Sequence, residues 1–414
     1  MKNNKSLLRV LHILNGATGG AAESTLDLIQ ELDKLGVTSF VYCSERSVRG
    51  DVNRLSETLG DNLRTGPLYI WPLRSRKSVL MRHLAGVLQL GYTVGLLRSA
   101  SGVISAARDF KVDIIHSQTA MSPDGAIAAT VLGIPHVWHI RELIGAGHPH
   151  RLRGDASEKA TSRFLRTGTV IANSKTTALT FFKDKVDQVH IIYNGINLSK
   201  LRDLPSTKPE RKLTFGMVAN LTAEWKRHSA FIKAAAIMAR YRDDCQFVIV
   251  GHDPSVNGKS SYAESLHQLV NTLGLKEKVH FNGFANSSVE AMEQLDILVH
   301  PATGESLGRV YIEAIAASRP IIAVEGGAAA EMLLNGRYGK LVSHPEPTLL
   351  AEAMLDIAKS YQQVREDLCL DKTNFLNLFS PQKCAFEVLS IYRSVIDSSR
   401  PRKTILNAIA HVMR

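Results

Sequence analysis

The chain has 414 residues, 44% hydrophobic and 21% charged, with 50 basic against 39 acidic side chains and a net charge of +11. That balance excludes a disordered chain, and four scattered cysteines without a C-x-x-C exclude a disulfide-built scaffold and suggest reduced thiols in a cytoplasmic setting. No run of eighteen apolar residues occurs, so no transmembrane helix is expected, and the length suits two α/β domains.

Along the chain, Met1 to Gly16 carries Lys2, Lys5 and Arg9 around an apolar run broken by His12. No small-x-small site follows, so this segment is expected to be a first strand rather than a leader. Strands are predicted at Leu7–Asn15, Ser39–Ser44, Val112–Ser117, His136–Ile140, Thr169–Asn173 and Val189–Tyr193. Helical patterns lie between them, for example Glu23–Leu35 and Pro123–Leu132. Such alternation argues for parallel sheets built from βαβ units. The first strand runs into Asn15-Gly16-Ala17-Thr18-Gly19-Gly20, where consecutive glycines let backbone N–H groups approach a ligand and the next helix adds its dipole. The spacing is not that of the dinucleotide fingerprint.

Between Trp71 and Lys111 stand seven Lys or Arg against one acid, Asp109, and the tail from Arg400 to Arg414 is basic with apolar residues at roughly helical spacing. An anionic membrane face is one expected partner for the Arg74–Lys111 surface and the tail, which would make the protein peripheral. A core-facing stripe with a solvated charged face is the equal alternative. Residues 201 to 212 hold two prolines and no apolar periodicity, and read as an interdomain linker. The expected domains are 1–204, 205–380, and a closing helix with basic tail, 381–414.

The second half repeats the alternation. Strands are predicted at Leu213–Val218, Gln246–Val250, Val279–Phe281, Ile297–His300, Ile321–Val324 and Lys340–Val342. Helices are predicted at Lys226–Arg240, Tyr262–Leu273, Ser288–Gln294, Val310–Ala317, Ala328–Asn335, Thr348–Tyr361 and Pro381–Asp397. After Ile297–His300 comes Pro301, then the turn Glu305-Ser306-Leu307-Gly308-Arg309, then a helix that contains Glu313. Free N–H groups at Leu307 to Arg309 make a site for a diphosphate. Glu313, about a turn and a half into the helix, is placed to accept the hydroxyls of a ribose, and Glu305 those of a sugar. These are the parts that a nucleotide-sugar donor requires. No metal site is expected, since the fifteen histidines are dispersed and no D-x-D ends a strand.

Glu305 and Glu313 with the residues between them resemble the E-x7-E motif of the retaining glycosyltransferases of family 4, and the resemblance covers nearly the whole chain. It implies a GT-B fold: two Rossmann-like, doubly wound parallel-sheet domains facing a central cleft, with the last helix crossing back to the first domain. It implies a metal-independent transferase that moves a sugar from a nucleoside-diphosphate sugar to a glycan or lipid-linked acceptor of cell-surface polysaccharide. On that resemblance Gly19 and Gly20 face the donor phosphates and acceptor, His139 is the active-site histidine, and Lys226 binds the diphosphate. Phe284, in an F-x-G turn, stands near the base, with plain core an equal alternative for its ring. His136 is the less favoured histidine. The family pattern has an arginine where this chain has Asn220, and Arg227 or Arg309 are substitutes. The alternatives are a non-catalytic GT-B protein that binds a sugar nucleotide, or an epimerase. Nucleic acid is not an expected partner, since no recognised module accompanies the charge.

Overall fold

The computed structural model of the chain describes residues 8–16, 19–44, 52–70, 85–144, 161–202, 204, 212–221, 224–253 and 261–398. They form two α/β units. The first holds a seven-stranded, wholly parallel sheet of order β3-β2-β1-β4-β5-β6-β7. Its strands are β1 (Leu8–Leu14), β2 (Val37–Ser44), β3 (Leu63–Gly66), β4 (Ile114–Ser117), β5 (His136–Ile140), β6 (Thr169–Ala172) and β7 (His190–Ile191). The second holds a six-stranded parallel sheet of order β10-β9-β8-β11-β12-β13. These strands are β8 (Leu213–Val218), β9 (Cys245–Val250), β10 (Val279–Gly283), β11 (Ile297–His300), β12 (Ile321–Val324) and β13 (Gly339–Val342). Central strands such as Ile297-Leu-Val-His300 and Ile321-Ile-Ala-Val324 are buried throughout. Helices cover both faces of a parallel sheet, so its strands read as continuous apolar runs.

Several boundaries differ from the sequence expectation. The edge strand β3 was not anticipated, and the helix expected around the stripe Leu80, Leu84, Val87, Leu88 and Gly91 is described from Ala85 to Asp109. Leu-Arg-Thr-Gly is too short and too polar to announce a strand. The helix expected from Lys226 starts at His228, because Arg227 takes a left-handed backbone (φ 65°) and leaves Lys226 in a short 3-10 turn. The helix expected to stop at Tyr361 runs from Pro347 to Leu376 across a break at Ser360. The division between units falls after Ile196 rather than at 204, and residues from Phe379 belong to the first unit.

Chain exit and re-entry lie side by side in that unit: the Ile196 amide donates to the Phe379 carbonyl (2.9 Å), and Tyr193 packs on the Phe379 ring. The returning helix, Pro381–Asp397, buries Val388, Leu389 and Tyr392 among Val10, Leu28, Leu32 and Ile114. The Tyr392 hydroxyl bonds His116 Nδ1 at 2.6 Å inside the sheet layer. Losing that hydroxyl leaves the buried His116 Nδ1 with the longer Gln118 contact at 3.2 Å alone, whereas losing the whole ring also opens a cavity. Tyr392→Phe is therefore expected to cost about 1–3 kcal/mol and Tyr392→Ala about 3–5 kcal/mol. Urea unfolding followed by a probe in the first unit checks this; equal costs for both variants would contradict the packing described.

Candidate functional site

In the second unit the strand order reverses between β8 and β11, which pair side by side through Phe215 with Ile297 and Gly216 with Leu298. Loops leaving two such strands at their C-terminal ends part from one another and open a crevice for ligands. The loop after β8 carries Lys226 and the loop after β11 carries Glu305. Their side chains meet in an ion pair, with Lys226 22% and Glu305 15% exposed. Lys226 Nζ also sits 4.0 Å from the centre of the Trp225 ring, a cation–π contact. His300, the last residue of β11, bonds the same carboxylate oxygen, Oε1, through Nε2 at 2.9 Å. Burial alone would raise the Glu305 carboxyl, but Lys226 and the His300 hydrogen bond outweigh it and hold it at about 2. His300 is lowered as well, but by burial, which outweighs the upward pull of Glu305 and favours the neutral ring.

The backbone around Glu305 is fixed by its neighbours. Its carbonyl accepts from the Ala328 amide (2.8 Å), and Gly327, at φ 53°, lies so close that a Cβ there would sit 2.3 Å from the same oxygen. Downstream, Ser306 is half-buried and Leu307 is buried. Gly308 begins the helix Arg309–Ala316 in a left-handed conformation (φ 72°), where a Cβ would strike the Tyr311 ring. Only glycine meets both demands. Glu313 is buried one turn below Arg309, and its Oε1 accepts from Arg309 Nε (2.9 Å) and Ser288 Oγ (2.7 Å). The two glutamates of the spacing thus stand on one loop-helix element, Glu305 oriented by Lys226 and His300 and Glu313 by Arg309 and Ser288.

Other expected donor-side residues are placed as follows. Asn220 is exposed, and its Oδ1 accepts from the His252 amide at 2.9 Å, tying the loop after β8 to the end of β9. Arg227 is exposed and Arg309 is engaged with Glu313. Phe284 follows Gly283 at the end of β10 and is 65% exposed, so its ring is not core. His300 and Ser288 were not singled out from the sequence. The signal for His300 was present, as a lone polar residue closing the apolar strand Ile297-Leu-Val-His300.

In the first unit Gly19 caps the helix Gly20–Lys34, and a side chain at Gly19 or Gly20 would meet no atom within 4 Å. His139 lies within β5 and is fully buried. Its ring stacks on His116 at 5.4 Å, and its Nδ1 is 3.3 Å from Arg141 Nη2. His136, on the same strand, bonds Ser117 Oγ at 2.9 Å. The polar groups at the C-terminal ends of β1, β4 and β5 are instead Asn15, Thr119 and Glu142. Asn15 Nδ2 donates to Thr119 Oγ1 (3.0 Å), Thr119 Oγ1 donates to Glu142, and the Ala120 amide does so at 2.7 Å. This edge is where the first sheet reverses its order, between β1 and β4. Of the basic segment, Arg98, Arg108 and Lys111 are exposed, whereas Arg74, Arg76, Lys77, Arg82 and the tail from Arg400 lie outside the described residues. No described helix is long and apolar enough to cross a membrane.

Two family models match the chain in tandem. Residues 18–200 match Glycosyltransferase Family 4, and residues 212–360 match Glycosyl transferases group 1. Among curated relatives, an uncharacterized glycosyltransferase of Methanocaldococcus jannaschii is 23% identical over 76% of this chain and 84% of its own length. A D-inositol 3-phosphate glycosyltransferase of Paenarthrobacter aurescens is 25% identical over 69% of this chain and 74% of its own. Among solved structures, Anabaena HepE in complex with UDP-glucose superposes with a TM-score of 0.72 at 20% identity, covering 94% of this chain and all of that one. The sucrose-phosphate synthase of Thermosynechococcus elongatus does so with a TM-score of 0.72 at 16% identity and the same coverage. With two parallel-sheet α/β units and family matches that together span both, the chain belongs to glycosyltransferase family 4, the glycosyl transferases group 1, and has the GT-B fold.

Proposed function

We propose that the protein moves a sugar, with retention at the anomeric carbon, from a nucleoside-diphosphate sugar to a glycan or lipid-linked acceptor of cell-surface polysaccharide. One observation carries the reading: Glu305 and Lys226 meet at the reversal point of the second sheet, eight residues ahead of an oriented, buried Glu313. In this reading the diphosphate lies against Lys226 and the N-terminus of the helix Arg309–Ala316. Glu313 takes the ribose hydroxyls, Glu305 the sugar hydroxyls, and Phe284 offers an exposed face beside the base. Structural neighbours that hold UDP or UDP-glucose make uridine sugars the first donors to try. The acceptor is assigned to the first unit, at the edge formed by Gly19, Gly20, Asn15, Thr119 and Glu142.

The bond from the anomeric carbon to the diphosphate oxygen breaks, and one to the acceptor oxygen forms on the same face. The departing phosphate oxygen takes the acceptor proton. The barrier falls because the negative charge growing on the diphosphate meets a cation and N–H groups that are already in place. Lys226 supplies that cation without a divalent metal. Glu305, ionised because its pKa is about 2, orients the sugar and forms no covalent intermediate.

Glu305→Ala is expected to lower transfer by at least about 10³-fold with the fold intact by circular dichroism, while wild-type turnover is the same with or without EDTA. Full activity in the variant, or loss of activity with EDTA, would overturn the assignment. The ion pair also sets a pH dependence. The Glu305 carboxyl, depressed from 4.5 to about 2, gives stability that is complete above pH 4.5 and is lost as the pH falls towards 2. In Lys226→Met burial is opposed by His300 alone, so the carboxyl rises. The variant's deficit in urea midpoint is expected to be largest near neutral pH and to shrink as the acid is protonated. A deficit independent of pH would contradict this.

A further inference from the structure

Lys226 and His300 converge on one oxygen of Glu305, Oε1, and Oε2 takes no hydrogen bond from the described residues. A carboxylate oxygen has two in-plane lone pairs, so Oε1 is filled and Oε2 is the open acceptor. The two holders are unlike. Lys226 reaches in from a loop on a four-carbon stem. His300 is 1% exposed at the end of β11, paired with β12 on one side and set edge-on to the Tyr311 ring at 5.2 Å. Its Nδ1 is buried with no partner among the described residues. A charged ring would bury an N–H there with nothing to receive it, which is costly. The ring is therefore neutral, carries its proton on Nε2, and donates it to Oε1.

A diphosphate brings more negative charge to Lys226 than a carboxylate does, and so competes for its ammonium. Resting on the sugar-nucleotide reading above, we propose that His300 is the positioning residue of the donor site. It keeps Oε1 of Glu305 in place when Lys226 turns to the diphosphate, so that Oε2 remains aimed at a hydroxyl of the donor sugar. A rigid donor on a central strand can do this, whereas a loop lysine with two anions to serve cannot. Displacing a positioning group by an ångström costs about 100-fold in rate.

The test compares His300→Leu with His300→Gln, whose amide nitrogen can stand near the imidazole Nε2. In His300→Leu, kcat is expected to fall about 30- to 100-fold with the donor KM within about threefold, and His300→Gln to recover at least about tenfold of the loss. A His300→Leu enzyme at near wild-type kcat, or a Gln variant no better than Leu, overturns the proposal. A second readout needs no activity: nitrogen NMR of ¹⁵N-histidine-labelled protein. It is expected to show His300 as the Nε2–H tautomer, with its resonances moved by Glu305→Gln. An Nδ1–H tautomer, or resonances indifferent to Glu305→Gln, overturns it as well. If the wild type binds no sugar nucleotide at all, the functional reading fails, and the NMR result still decides whether His300 positions Glu305.

Discussion

A carboxylate sunk among protein atoms stays charged only if positive or hydrogen-bonding groups stand close enough to replace the water it has lost. Glu305 meets that condition through Lys226 and His300, and much of the second unit serves to bring the three together. Parallel pairing of β8 with β11 sets their loops next to each other. A helix start at His228, delayed by the left-handed Arg227, leaves Lys226 free of the helix proper. Gly327 lets a neighbouring loop close over the Glu305 backbone, and the Ala328 amide secures its carbonyl. The same carboxylate then determines the local chemistry. Held at about 2, it is an anion near neutral pH, so there it accepts hydrogen bonds and does not deliver a proton.

The first unit uses buried polar groups differently. His12, His116, His136 and His139 are buried, and desolvation is the largest influence on each, lowering all four. They act as neutral hydrogen-bonding rings: His12 and His116 share the Gln118 amide, and His116 meets Tyr392 from the returning helix. Arg141 joins this network through Gln118 and Asn194, the latter in the segment that leads out of the unit. A network of this kind is satisfied in one arrangement only, which fixes the terminal helix on the first sheet as well as burying apolar area.

Much of this was legible in the sequence, for identifiable reasons. Strands of a parallel sheet covered on both faces are continuous apolar runs, so twelve of the thirteen described strands were visible; β3 was missed, and β2, β9 and β13 were expected to start one or two residues late. The E-x7-E spacing showed the loop-helix element because its geometry is local: a proline after the strand, a glycine turn, then a helix. What the sequence hid depends on contacts made far along the chain. Nothing in the run Ile297-Leu-Val-His300 says that His300 turns its Nε2 onto Glu305, because that follows from how the loop folds back. The same holds for Ser288, which reaches Glu313 from a different helix. His139 was chosen from its resemblance to a family position, and the structure shows it in the sheet interior, while Asn15, Thr119 and Glu142 occupy the strand ends.

The most direct test of the central claim, that the second unit receives a nucleoside-diphosphate sugar along the element from Glu305 to Glu313, is saturation-transfer NMR without metal. The purified protein would be set against UDP, GDP, ADP and their common sugar conjugates. Selective saturation of one sugar nucleotide is expected, on both ribose and sugar protons, and its loss in Glu313→Ala. Binding of none of them, or undiminished binding by Glu313→Ala, would contradict it.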